Sequence, residues 1–271
     1  SQGNKRLLAH IFRFFTQADV DVCCGYAKHY LPTFKQPEVR MMLAAFAAME
    51  AVHQEAYSLL LETLGFRDDE YQKFFEHKEM LDKHEYLGNF GMKTPMDIAK
   101  TMAIYSGFTE GVQLFSSFAI LLNFPRHNLM KGMGQIVTWS VRDESLHVEG
   151  MSHLFRAFIQ ENPKLWTDDL KYEIYCAAER TVDLEDAFIA LCFEGAEVPD
   201  LTPEEVKEYI RYIADRRLLG LGMKKIFGSV ENPLPWLDYM LNGVEHTNFF
   251  ENRATEYSRA STTGNWQDIF K

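Results

Sequence analysis

Two short runs, Glu50-Ala-Val-His53 and Glu144-Ser-Leu-His147, each place a carboxylate and an imidazole three residues apart. On an α-helix that spacing turns the side chain by about 300°, so both members of a pair point the same way and can grip one cation. One Glu-x-x-His on an exposed helix is usually just a polar face. Two of them, both among apolar residues, are harder to assign to solvent. Glu50 follows Met41-Met-Leu-Ala-Ala-Phe-Ala-Ala-Met49, a segment in which an unpaired charge would cost several kcal/mol. Glu110 is the only charged residue between Lys100 and Arg126, so it too needs a counter-charge. Asp19 and Asp21 are the acidic candidates on the helix before these, and they face different ways. Phe12, Phe15 and Tyr26 lie at helical spacings from Asp19, which selects Asp19 for the core.

Four carboxylates (Asp19, Glu50, Glu110, Glu144) and two neutral imidazoles (His53, His147) balance the charge of two divalent cations. Oxygen and nitrogen donors without thiolate suit iron or manganese, although zinc or cobalt would also enter. Tyr57 stands seven residues after Glu50, within about 20° of the same direction. It therefore faces the same interior, either as a space-filling core residue or as a participant in the chemistry.

Long helices must carry these groups. Val, Ile and Thr never gather in alternating runs, so no strand is predicted, and Pro and Gly mark boundaries instead. The first helix is expected from about Arg6 to Tyr30, stopped near Pro32. A second opens near Pro37 and closes at Gly65. The polar stretch from Phe66 to Lys93 holds one shorter helix and loops. A third long helix runs from Thr94-Pro95 to a point before Pro125. A fourth spans Asn128 to Gln160 and stops before Pro163, and a fifth covers Trp166 to Phe193 with Gly195 as its stop. Thr202-Pro-Glu-Glu reads as the cap and acidic first turn of a sixth. After Asn232-Pro-Leu-Pro-Trp236 the helical pattern weakens. The expected fold is all-α, a long-helix bundle with additional helices, and its ligand pattern resembles that of ferritin-like di-metal proteins. Residues 1–247 form the helical domain and residues 248–271 a flexible tail.

Bulk properties exclude several functions. A formal net charge of −11 opposes binding to nucleic acid phosphates. No run approaches the ~18 apolar residues of a membrane span. Cys23, Cys24, Cys176 and Cys192 form no Cys-x-x-Cys pair, which points to free thiols in a reducing cytoplasm rather than a disulfide framework or zinc site.

Asp19, Glu50-Ala-Val-His53 followed by Tyr57, Glu110, and Arg142-Asp-Glu-Ser-Leu-His147 together resemble the small, radical-generating subunit of class I ribonucleotide reductase. The likeness extends over almost the whole chain, including Asn232-Pro-Leu-Pro-Trp236 and Asn248-Phe-Phe-Glu-Asn-Arg-Ala-Thr-Glu-Tyr257. It implies a dinuclear iron centre, or alternatively a dinuclear manganese or mixed manganese–iron one, that reacts with oxygen or a reduced oxygen species and oxidises Tyr57 to a stable neutral radical. It also implies transfer of that radical equivalent to a cysteine of a separate large catalytic subunit, where ribonucleotides are reduced. By the same resemblance Asp19 is the hydrogen-bond partner of the Tyr57 hydroxyl, Asp143 orients His53 and joins the radical path, and Tyr257 relays the radical from the tail. A homodimer is implied, with an activating flavoprotein if the metal is manganese. Leu114 and Phe118, four and eight residues after Glu110, are placed to wall the tyrosine pocket.

Some positions depart from the family pattern. No tryptophan precedes Trp139, where relatives supply one to the radical path, so the N-terminus is expected to be trimmed, and the docking tail to be cut short at Lys271. Leu114 stands where an aromatic residue is common, and Ser140 adds polarity near the tyrosine. The alternative reading is a ferritin-like di-metal oxidase or monooxygenase acting on a bound small molecule. Asp19 in place of Glu, together with Tyr57, opposes it. Iron storage and a purely structural bundle are weaker still, the latter because Glu50, Glu110 and Glu144 would be buried without a counter-charge.

Overall fold

In a computed structural model of the chain, residues 1–66, 73–87 and 91–242 are described. Among them every regular element is a helix. Helix α1 (Gln2–Gly25) is capped by Ser1, whose hydroxyl accepts the Asn4 N–H. It runs directly into a π-helical turn (Tyr26–Tyr30) and a last short piece (Leu31–Thr33). The helix therefore continues past Pro32, the expected stop. The wider register explains this, because Leu31 N–H bonds back five residues to the Tyr26 carbonyl and Pro32 needs no donor of its own.

Helix α2 (Pro37–Thr63) starts with proline in its first turn and ends at Gly65, whose φ of +73° closes the helix without a Cβ penalty. Helix α3 (Lys78–Leu87) is the shorter one expected in the polar stretch. The predicted third long helix proves to be three pieces. Helix α4 (Pro95–Thr101) opens on a Thr94–Asp97 capping box and passes into a nine-residue π segment (Met102–Glu110). After a break at residues 113–114, α5 (Phe115–Arg126) resumes and includes Pro125. Proline there leaves the Leu121 carbonyl without its helical donor, and the helix ends one residue later.

Helix α6 (Lys131–Glu161) is the longest, and α7 (Asp168–Phe193) begins at a Thr167 cap. Helix α8 (Pro203–Gly220) has the expected Thr202–Glu205 capping box. A further helix, α9 (Pro235–Asn242), forms where the sequence pattern had weakened.

Helix α1 lies against α2 and α7, α2 against α6, and the π segment and α5 against α6; α8 covers α7 and α5. Four layers thus converge on one interior, walled by Phe12, Phe15, Phe46, Phe108 and Phe118. At Gly25, where α1 becomes π-helical, an added Cβ would sit 2.4 Å from the Tyr105 hydroxyl oxygen. Only glycine lets Tyr105 reach the Asp21 carbonyl, at 2.8 Å. No described helix is long and apolar enough to cross a membrane.

Candidate metal centre

The six side chains singled out from spacing meet in the bundle interior. Asp19 comes from α1, Glu50 and His53 from α2, Glu110 from the end of the π segment, and Glu144 and His147 from α6. All are buried, none exposing more than 4% of its surface. Their donor atoms form two groups, each within 4.8 Å: Asp19, Glu50, His53 and Glu144 in one, Glu50, Glu110 and His147 in the other. Glu50 belongs to both. One of its oxygens lies 2.9 Å from His147 Nδ1 and the other 3.5 Å from His53 Nδ1. Glu144 straddles the imidazoles in the same way, at 3.4 Å from His53 Nδ1 and 3.7 Å from His147 Nδ1.

The donor atoms that face the centre make no hydrogen bonds. Asp19 Oδ2, both Glu50 oxygens, His53 Nδ1, Glu110 Oε1, Glu144 Oε2 and His147 Nδ1 are all buried without such a partner. Buried polar atoms are almost always paired, and this many unpaired lone pairs around one point are what two cations would satisfy. The donor set therefore fits a dinuclear metal centre, with Glu50 and Glu144 placed to serve both ions.

Without metal, protons take over the compensation. Burial pushes both imidazoles down, but the facing Glu144 and Glu50 carboxylates reverse this and raise His53 to about 11 and His147 to about 10. Burial pushes Glu144 up, but the two facing imidazoles hold it below the usual carboxylate range. Asp19 and Glu110 go well above theirs, first through burial and then through the like charges of Glu50 and Glu144. Cations entering the site would displace these protons.

Outer contacts orient the ligands. His53 Nε2 lies 3.0 Å from Asp143 Oδ2, so the aspartate fixes which imidazole nitrogen faces inward. His147 Nε2 lies 3.3 Å from Met49 Sδ. Tyr57 is buried, with its ring 4.9 Å from that of Phe15. It borders a small void also lined by Asp19, His53, Leu114, Phe118, Ser140 and Glu144. Its hydroxyl donates to Ser140 Oγ at 2.8 Å. This corrects the expected bond to Asp19. Ser140 lies one turn before Glu144 on α6 and reaches the phenol first, while Asp19 gathers with the inward-facing cluster. Tyr257 lies outside the described residues.

Two features escaped sequence reasoning. Tyr26 Oη donates to Glu110 Oε2 at 2.9 Å, although Tyr26 stands seven residues after Asp19, the same spacing that drew attention to Tyr57 after Glu50. Lys83 and Glu185 form a fully buried ion pair. Its lysine lies in the stretch read as polar, where periodicity offers no signal.

The family model for "Ribonucleotide reductase, small chain" matches residues 1–233. A probable ribonucleoside-diphosphate reductase small subunit of Invertebrate iridescent virus 3 is 48% identical over 98% of this chain and 75% of its own length. Among solved structures, the ribonucleotide reductase R2 subunit from Clostridium botulinum superposes with a TM-score of 0.82 at 20% identity, covering 88% of this chain and 77% of that one. Streptococcus sanguinis dimanganese(II)-NrdF does so with a TM-score of 0.75 at 22% identity, covering 89% and 84%.

Proposed function

The chain belongs to the ribonucleotide reductase small-chain family and serves ribonucleotide reduction beside a large subunit; within that role, we propose that Tyr57 is the residue that stores the radical. The observation that carries this reading is the ring of unpaired donor atoms directly beside a buried tyrosine whose hydroxyl has a single partner. Asp19, Glu50, His53, Glu110, Glu144 and His147 hold the metals, and the donor set suits iron; the dimanganese neighbour makes manganese, alone or mixed with iron, the alternative. When bound, the metal pair would activate oxygen and so supply the one-electron oxidising power.

The protein supplies the rest. Phe15, Leu114 and Phe118 keep water from the Tyr57 ring. Oxidation of a phenol to a neutral radical releases its proton, which Ser140 Oγ already accepts as a hydrogen bond. Asp19 and Glu144 border the same void and offer the basic oxygens a serine lacks. Asp143, about one-third exposed, links His53 to the surface, and Tyr257 continues the path to a cysteine of the large subunit.

A homodimer fits the outer face of α2, where Met41, Ala45, Ala48 and Val52 form one exposed apolar stripe and Met41 is 72% exposed. An activating flavoprotein joins if the native metal is manganese, and free cysteines suit a cytoplasmic setting. The test is Tyr57→Phe, loaded with metal and examined by electron paramagnetic resonance. Metal content should stay at the wild-type level while the tyrosyl signal disappears. A variant with an undiminished signal would move the radical to another tyrosine.

A further inference from the structure

The two metal positions are flanked differently. Tyr57 stands beside the group that contains Asp19 and His53 and bonds to a serine. Tyr26 stands beside the other group. Its ring lies 6.0 Å from that of His147, edge on, and its hydroxyl donates to Glu110 Oε2 at 2.9 Å. That bond takes one oxygen of Glu110. The other, Oε1, is buried and has no partner, so it is the oxygen left for a cation.

The backbone around Glu110 makes such a restraint useful. Glu110 is the last residue of the nine-residue π segment, and the helix is interrupted within one turn of it, at residues 113–114. A carboxylate on a regular helix inherits its position from neighbouring turns. One at the end of a π segment does so less firmly, because that register is rarely sustained. Tyr26 is itself the first residue of the π turn that ends α1, and its ring packs against Tyr30 at 5.6 Å and Phe46 at 5.8 Å. It is therefore held rigidly enough to hold something else.

The geometry points to Tyr26 as a positioning residue for the metal site formed by Glu50, Glu110 and His147: its hydroxyl holds Glu110 to one-oxygen coordination and keeps Oε1 turned toward the cation. This rests on the metal-binding reading given above and deepens it. A hydrogen bond to an anionic ligand also draws charge from it, so Tyr26 weakens Glu110 as a donor while fixing its direction.

The experiment titrates metal-free protein with manganese(II) alone, following stoichiometry and the electron paramagnetic resonance spectrum, in wild type, Tyr26→Phe and Tyr30→Phe. Tyr30 lies in the same π turn, but its hydroxyl goes to the Thr101 carbonyl, so its variant controls for loss of a buried phenol. In Tyr26→Phe the second manganese should bind about tenfold more weakly or more tightly, depending on whether lost direction or gained donor strength dominates. In either case the coupled two-manganese spectrum should change shape at saturation, and Tyr30→Phe should match wild type. An unchanged spectrum and affinity in Tyr26→Phe would overturn the proposal, as would an equal change in Tyr30→Phe. Wild type that binds no manganese pair would instead overturn the metal-site reading itself.

Discussion

Lys83 and Glu185 present the buried-charge problem of the metal centre in a form the protein solves by itself, and their replacement gives a quantitative expectation. Both side chains are fully buried. Burial pushes the lysine down and the glutamate up, and each partner's charge works against that shift. The ammonium lies 3.5 Å from the ring centre of Phe14 and 4.1 Å from that of Phe188, and it donates to the Gln113 carbonyl at 3.1 Å. Removing one partner leaves an uncompensated buried charge, at a cost of ~3–5 kcal/mol. For 271 residues the unfolding entropy is roughly 0.6 kcal/mol/K, so Lys83→Met or Glu185→Leu should lower the thermal midpoint by about 5–9 °C. The double variant removes both charges together. Its remaining losses are the partners of the Gln113 carbonyl and the Ser116 hydroxyl, which donates to Glu185, at ~1 kcal/mol each, or about 3–4 °C. Circular dichroism melts in excess chelator measure this without stabilisation from bound metal. A double variant whose loss equals the sum of the single losses would show that the two charges do not compensate one another, and the reasoning would fail.

Glu110→Ala should leave the Asp19, Glu50, His53 and Glu144 group intact and bind one metal per chain in place of two, measured by elemental analysis after desalting; an unchanged two-metal stoichiometry removes Glu110 from the site. Truncation before Tyr257 should preserve the Tyr57 radical signal yet abolish nucleotide reduction when the large subunit is added. Retained turnover would remove Tyr257 from the radical path.

What the sequence revealed, and what it hid, follows from the range of the interactions concerned. Glu50 with His53, and Glu144 with His147, are three residues apart on regular helices, so local periodicity alone aligns them. Glu110 was found differently, as a lone charge in an apolar run, because burial of an acid is visible even when its helix geometry is not. The π register around it was not legible. It differs from α by one residue per turn and is selected here by packing against α6 and α7. The partner of Tyr57 was misjudged for a related reason. Whether Asp19 or Ser140 reaches the phenol depends on the relative rotation of α1 and α6, which no spacing within either helix specifies. The Lys83–Glu185 pair joins residues about a hundred positions apart, and neither has a distinctive local setting.

Apart from the Tyr57–Ser140 bond, these hidden features concentrate on one stretch of backbone. Glu50 and Glu144 sit within long regular helices, where neighbouring turns fix their direction. Glu110 sits where regular helix gives way, and groups from elsewhere hold the region in place. Tyr26 on α1 bonds the carboxylate itself. Arg217 on α8 donates from Nε to the Gly111 carbonyl at 2.8 Å, with its guanidinium over the Phe115 ring. Lys83 on α3 holds the Gln113 carbonyl, and Ser116 is tied to Glu185 on α7. A bundle that needs an irregular segment at its centre must replace the missing helical order with tertiary bonds. Changes at Lys83 or Arg217 should therefore reach the metal site through Glu110.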